Sequence, residues 1–201
     1  MNLAFEVGGS PLNIARKEIG SSINILEGPI ETLVPLTKVA SRPNSLSRKV
    51  GRSEQPPHTD GAHKEMPPAF VLLWTEKSSG CQAPTHIRVV DSEKICPEFW
   101  EEFRRSVWSV KTTSSRFHYR KCVGKNQSVR WDSACFVRCV VGNLTSKRVD
   151  AEFKKISKFV FRWSPGKALL LNNRQVLHGR CDATNPVNDN RIMKRVSFYE
   201  S

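Results

Sequence analysis

The residues of this 201-residue chain best suited to chemistry lie in two segments far apart. In Pro57-His58-Thr59-Asp60-Gly61 an imidazole and a carboxylate stand two positions apart, and in extended backbone such residues point to the same side. With one more imidazole they form the 2-His-1-carboxylate face that binds non-haem Fe(II) and leaves the opposite positions open. A third ligand is available at His178, which lies 118 residues after Asp60. It ends an apolar strand pattern and is followed by a glycine, while Gly61 lets the chain turn away directly after Asp60. His-x-Asp alone arises by chance; a second, strand-borne histidine gives it weight. His63, His86 and His118 have no such context and are read as polar or packing residues.

Short β-branched and aromatic runs bounded by turn residues predict strands over 69–75, 85–90, 116–122, 128–131, 134–141, 158–163, 168–171, 175–178 and 194–199. Weaker strand patterns cover 23–26 and 32–39, and a turn of helix is expected at 44–50. Pro97 suits a first helical position; Phe99, Trp100, Phe103 and Val107 follow at helical spacing, with acids early and Arg104 and Arg105 late. Further helices are expected over 11–19 and over 150–158, the latter burying Phe153 and Ile156. Many short strands and few helices predict an antiparallel sandwich or barrel. With no internal repeat and no long linker, residues 1–201 read as a single domain in which 1–31 is a short N-terminal extension.

Hydrophobic residues at 38% and charged residues at 25% exclude a wholly disordered or collagen-like chain. No apolar run approaches the ~20 residues of a membrane helix, and the start of the chain, with Glu6 and Gly8-Gly9, does not resemble a signal peptide. A cytoplasmic protein without membrane partners is expected, its six cysteines free thiols. Cys135 and Cys139 would need two more ligands to hold zinc. The net charge of +13 is uneven: residues 101–150 hold eleven Lys and Arg against four Asp and Glu, and residues 51–100 hold five against seven. In Phe103-Arg-Arg-Ser-Val-Trp108 and Arg116-Phe-His-Tyr-Arg-Lys121 aromatics interleave with cations, so a basic nucleic-acid-binding module is the alternative reading.

His58-Thr59-Asp60, the run from Trp163-Ser-Pro-Gly to Leu-His178-Gly-Arg180, and Arg191 thirteen residues after His178 occur in one order. In that order they resemble the Fe(II)/2-oxoglutarate-dependent dioxygenases of the taurine dioxygenase and clavaminate synthase-like superfamily, over about residues 32–199. The resemblance implies a mainly β fold with flanking helices around a double-stranded β-helix, the jelly-roll, cupin-like core. It implies Fe(II) on His58, Asp60 and His178, and 2-oxoglutarate with its distal carboxylate on Arg191, assisted by Thr85 and Arg195. The Gly-Gly-acid-Thr spacing usual around that threonine is altered here, and Asn172-Asn173 stands where Asp-Asn is common. Arg195, Trp131 and Arg180 are the implied substrate contacts. The implied reaction uses O2 to hydroxylate an unactivated C–H bond of a small, amino-acid-like or anionic metabolite, releasing succinate and CO2. Related halogenases lack the carboxylate ligand, so Asp60 favours hydroxylation. A catalytically degenerate member of the same fold is a further alternative.

Overall fold

A computed structural model describes residues 3–6, 10–20, 25–34, 36–41, 45–75, 83–112, 116–184 and 192–200. In chain order the elements are β1 (Leu3–Glu6), α1 (Pro11–Ile19), β2 (Ile25–Glu27), β3 (Glu31–Leu33), α2 (Leu46–Val50), β4 (Phe70–Thr75) and β5 (Thr85–Val89). They continue with α3 (Pro97–Arg105), β6 (Val107–Lys111), β7 (Phe117–Lys121), β8 (Phe136–Val141), α4 (Ser146–Lys155), β9 (Phe159–Phe161), β10 (Lys167–Asn172), β11 (Val176–Arg180) and β12 (Met193–Glu200).

Strands β4 and β10 read Phe-Val-Leu-Leu-Trp-Thr and Lys-Ala-Leu-Leu-Leu-Asn, apolar on both faces, because both faces of their sheet are covered. The sheet runs β1-β10-β4-β12, with β2 and β3 both paired to β12, all antiparallel. Val71, Leu73, Leu169, Leu171 and Met193 point inward against Ile87, Phe161 and Val176 of a second sheet, ordered β11-β5-β9, and against Trp163 just after β9. Leu72, Ala168, Leu170, Val196 and Phe198 point outward, and α1 covers them with Leu12, Ala15 and Ile19. Leu169, Leu170 and Leu171 are at most 2% exposed, and each such side chain contributes about 1.5–3 kcal/mol. The segment expected as an N-terminal extension supplies β1, α1 and β2, so it is part of this sheet and its cover.

A third sheet, β7-β6-β8, packs with α3 and α4 around Trp131. Phe99, Trp100 and Phe103 form the buried side of α3, as the 3.6-residue period requires. Val107 continues that period but opens β6 instead: the Ser106 hydroxyl donates to Phe103 O (2.7 Å) and accepts from Trp108 Nε1 (3.0 Å), closing the helix. The helix expected at 150–158 begins earlier and ends sooner, because the Thr145 side chain caps Arg148 N, and Val149 and Phe153 share its buried face. The strand expected at 128–131 reduces to a bridge between Val129 and Val123, and the one at 32–39 ends at Leu33. Among the described residues no helix is long and apolar enough to cross a membrane.

Candidate metal centre

The His58–Asp60 segment is fixed residue by residue to three different elements. His58 and His178 exchange both backbone hydrogen bonds at 2.9 Å, which lays His58 beside the edge of β11. Thr59 N donates to Trp131 O (2.8 Å), and Trp131 N donates to the Thr59 hydroxyl (3.1 Å). Asp60 N donates to Asn173 Oδ1 (2.8 Å), while Asn173 Nδ2 donates to Asp60 O (3.0 Å) and Pro68 O (2.8 Å). Extended backbone is thus confined to a single bridge, and a turn follows at Gly61 with φ +64°. Asn173, at 1% exposure, is the brace under the carboxylate. Asn173→Ala strands three buried backbone groups, at about 1–3 kcal/mol each before relaxation. A clear drop in the urea midpoint checks this, together with weaker metal binding.

On β11 the side chains of Val176, His178 and Arg180 share a face. Gly179 between them lies opposite His86 of β5 and has no room for a side chain: a Cβ would stand 2.5 Å from His86 Nε2 and 2.7 Å from Gln55 O. His86 uses that gap to donate from Nε2 to Gln55 O (2.8 Å), tying β5 across β11 to the segment that carries His58. The glycine after His178 is therefore a packing requirement of the site.

His58, Asp60 and His178 are all buried, and one potential ligand atom from each lies within 4.8 Å of the others. Pro56 O can only accept, so the 3.0 Å contact puts the proton of His58 on Nδ1 and leaves the Nε2 lone pair for a metal. Arg195 Nη1 donates to Asp60 Oδ1 (2.8 Å); Asp60 Oδ2 is buried without a hydrogen-bond partner, 3.7 Å from His178 Nε2. An orphaned carboxylate oxygen between two imidazoles fits a divalent cation with nitrogen and oxygen ligands.

Burial alone would raise the Asp60 carboxyl, but Arg195, His178, His58 and Lys64 together hold it below its ordinary 3.8. Burial pushes the His178 imidazole down to about 3, with His58 adding to the effect, so His178 is neutral at physiological pH. His86 is also lowered, first by burial. Both histidines bind a proton more readily when unfolded, where their ordinary pKa is 6.5. Stability is complete above that value and is lost as pH falls, by up to about 1.4 kcal/mol per pH unit for each histidine. In chelator the melting temperature should fall between pH about 6.5 and about 5, less steeply in His178→Ala.

Arg195 lies on β12 and also holds Glu31 of β3 (Nε to Oε2, 2.8 Å), so a Glu31–Arg195–Asp60 chain ties the first sheet to the His58–Asp60 segment. Thr85 is buried and accepts from Trp163 Nε1 (3.0 Å), on the same face of the second sheet as His178, whose neighbour Arg180 it opposes. Arg180 Nη2 donates to Gly51 O (2.6 Å) and Ser53 O (3.0 Å), anchoring the turn before His58. Trp131 is fully buried, its indole donating to Asp150 Oδ1 (2.8 Å). In place of the substrate contact expected of its ring, it serves packing, and its backbone positions Thr59. Arg191 lies outside the described residues, as does Cys81.

Glu31 was missed from sequence: it is one acid in a three-residue strand and carries no local signal. Asp132 belongs to the Arg130-Trp131-Asp132 stretch that the resemblance points to, and burial raises its carboxyl while nearby His58 lowers it.

No protein-family model and no curated protein matches the sequence. The structure does match solved ones. An asparagine oxygenase in complex with Fe(II), 3-hydroxyasparagine and succinate superposes with a TM-score of 0.64 at 16% identity, over 85% of this chain and 56% of that one. The chain has the fold of the non-haem iron oxygenases. The non-heme iron oxygenase OrfP with Fe and alpha-ketoglutaric acid gives 0.55 at 17% identity, over 84% and 55%. AAD-2 with Mn(II) and N-oxalylglycine gives 0.56 at 12%, over 72% and 60%. The chain thus spans little more than half the length of these proteins. The double-stranded β-helix expected from the motifs is the architecture found, with β10-β4-β12 facing β11-β5-β9.

Proposed function

We propose that this chain is an Fe(II)- and 2-oxoglutarate-dependent oxygenase that hydroxylates an unactivated C–H bond of a small amino-acid-like or anionic molecule. The observation that carries the reading is the buried His58–Asp60–His178 cluster with its unpartnered Asp60 Oδ2, placed between the two sheets of an oxygenase fold. His58 and His178 offer imidazole nitrogens and Asp60 a carboxylate oxygen, a donor set suited to a divalent iron. When bound, Fe(II) with 2-oxoglutarate and O2 supplies the oxidation: one oxygen atom enters the substrate C–H bond and the other enters succinate, with loss of CO2.

The chain's own residues do the positioning. Pro56 O fixes the tautomer of His58, Asn173 fixes the backbone of Asp60, and Arg195 holds Oδ1 so that Oδ2 faces the histidines. Arg191 is assigned to the distal carboxylate of 2-oxoglutarate and Thr85 to its support, on the resemblance of the motifs. Amino-acid substrates are favoured because the asparagine oxygenase and OrfP structures hold hydroxylated asparagine and hydroxylated arginine.

The test is succinate release by Fe(II)-loaded protein with 2-oxoglutarate, across free amino acids and small acids. A substrate-dependent rise above uncoupled turnover is expected with at least one amino acid. Turnover at background with every compound would favour the catalytically degenerate alternative.

A further inference from the structure

We propose that the outer face of the β7-β6-β8 sheet, continued into the arginine-lined cleft beside it, binds single-stranded nucleic acid independently of the metal centre. The basic excess of residues 101–150 has no task at that centre. The structure separates the two aromatic–basic runs of this region. In the first, Phe103 and Trp108 are 0% and 1% exposed and belong to the core. In the second, Phe117 and Tyr119 on β7 are 55% and 66% exposed.

Strand pairing sets what surrounds these rings. Tyr119 lies opposite Ser109, which lies opposite Arg138; Phe117 lies opposite Lys111, and Lys121 opposite Val107. Alternation puts Phe117, Tyr119, Lys111, Lys121 and Arg138 on one face, since Trp108, Val110 and Phe136 occupy the other. The two rings are about 7 Å apart along the strand, a step that an extended dinucleotide spans. No acid stands on this face, and none of its three cations makes an ion pair among the described residues. Cations on the helices are treated differently: Arg104 and Arg105 meet Glu101, Arg148 meets Glu102 and Lys155 meets Glu152.

Arg120 and Lys121 also line a cleft of about 760 Å³ that none of the three metal ligands lines. Arg130 and Arg174 line it too. Glu200 answers Arg174 through a two-pronged ion pair (2.5 and 2.6 Å). Among the described residues Arg120 and Arg130 have no such acid: Arg120 donates to Tyr119 O (3.1 Å) with its Nε buried and unpartnered, and Arg130 donates to the backbone oxygen of Glu65 (3.0 Å). Burial lowers the Arg130 guanidinium, and the charge of Arg120 lowers it further. Two unanswered guanidiniums in one cleft favour a phosphate between them.

The exposed rings decide the class of polyanion. A base has a π-face to lay on Phe117 or Tyr119, whereas an acidic peptide needs only the cations and a duplex keeps its bases stacked on one another.

Anisotropy of a fluorescein-labelled oligothymidylate tests this, with the whole chain titrated between about 50 and about 200 mM salt. Wild type is expected to bind, with log affinity falling linearly against log salt. Phe117→Ala/Tyr119→Ala should lose about fivefold or more per ring with the salt slope unchanged. Lys111→Gln/Lys121→Gln/Arg138→Gln should keep the rings but lower the slope by about 2. Four of the five positions are exposed and Lys111 is half-buried, and an unchanged melting temperature confirms that the variants are folded. The proposal is overturned by absence of wild-type binding at the lowest salt, by equally tight binding of a duplex or of polyglutamate, or by a ring variant that binds like wild type.

Discussion

His178→Ala is expected to lower Fe(II) affinity by more than about a hundredfold, since losing only a group that supports a ligand costs 10- to 100-fold. Turnover of 2-oxoglutarate should disappear with it. His178 is the ligand of choice for this test because its backbone, not its ring, holds His58 in place through the paired 2.9 Å hydrogen bonds, and alanine keeps those. Its ring is buried, with Nδ1 lacking a hydrogen-bond partner, so the metal-free variant gives up little stability at neutral pH. Anaerobic Fe(II) titration followed calorimetrically separates the outcomes. Metal binding lost with the melting temperature retained supports a ligand role, whereas unchanged affinity removes His178 from the site.

Arg195→Met is the second large effect, and it acts on stability first. Asp60 is 8% exposed and, among the described residues, Arg195 is its one hydrogen-bonded cation, with Glu31 held by the same guanidinium. Removing the cation leaves a buried carboxylate unpaired, at a cost of about 3–5 kcal/mol. Urea unfolding in chelator should show that loss, and Arg195→Met/Asp60→Asn should recover much of it, since the pair couples directly. Added Mn(II) should raise the melting temperature of Arg195→Met more than that of wild type, because the metal then supplies the only strong counter-charge to Asp60. Equal shifts in the two proteins would mean that Asp60 does not face the metal.

The candidate cluster of His58, Asp60 and His178 was legible in the sequence because the chemistry needs little local context: two side chains at i and i+2, and a histidine on a strand next to glycine. The fold class was legible in the apolar strands that became β4 and β10. What supports the ligands was not. Asn173 looked like a turn residue, and its role depends on that turn meeting the backbone of Asp60, 113 residues away. Glu31 matters only because β3 pairs along β12 beside Arg195. Val107 continued the apolar period of α3, and only the Ser106 hydroxyl, bonded to both Phe103 and Trp108, converts that period into the alternation of β6. Thr145 was a readable helix start for α4. Trp131 shows the converse: the resemblance of the motifs suggested a substrate contact, while the ring packs edge-on or tilted among Phe103, Trp108, Phe136 and Phe153.

The central claim is that His58, Asp60 and His178 together hold iron with 2-oxoglutarate beside it. Its most direct test is the visible spectrum of anaerobic protein with Fe(II) as 2-oxoglutarate is added. A weak charge-transfer band that saturates with 2-oxoglutarate is expected in wild type and should be missing from His58→Ala and His178→Ala. Its absence from wild type, or its survival in either variant, would contradict the account.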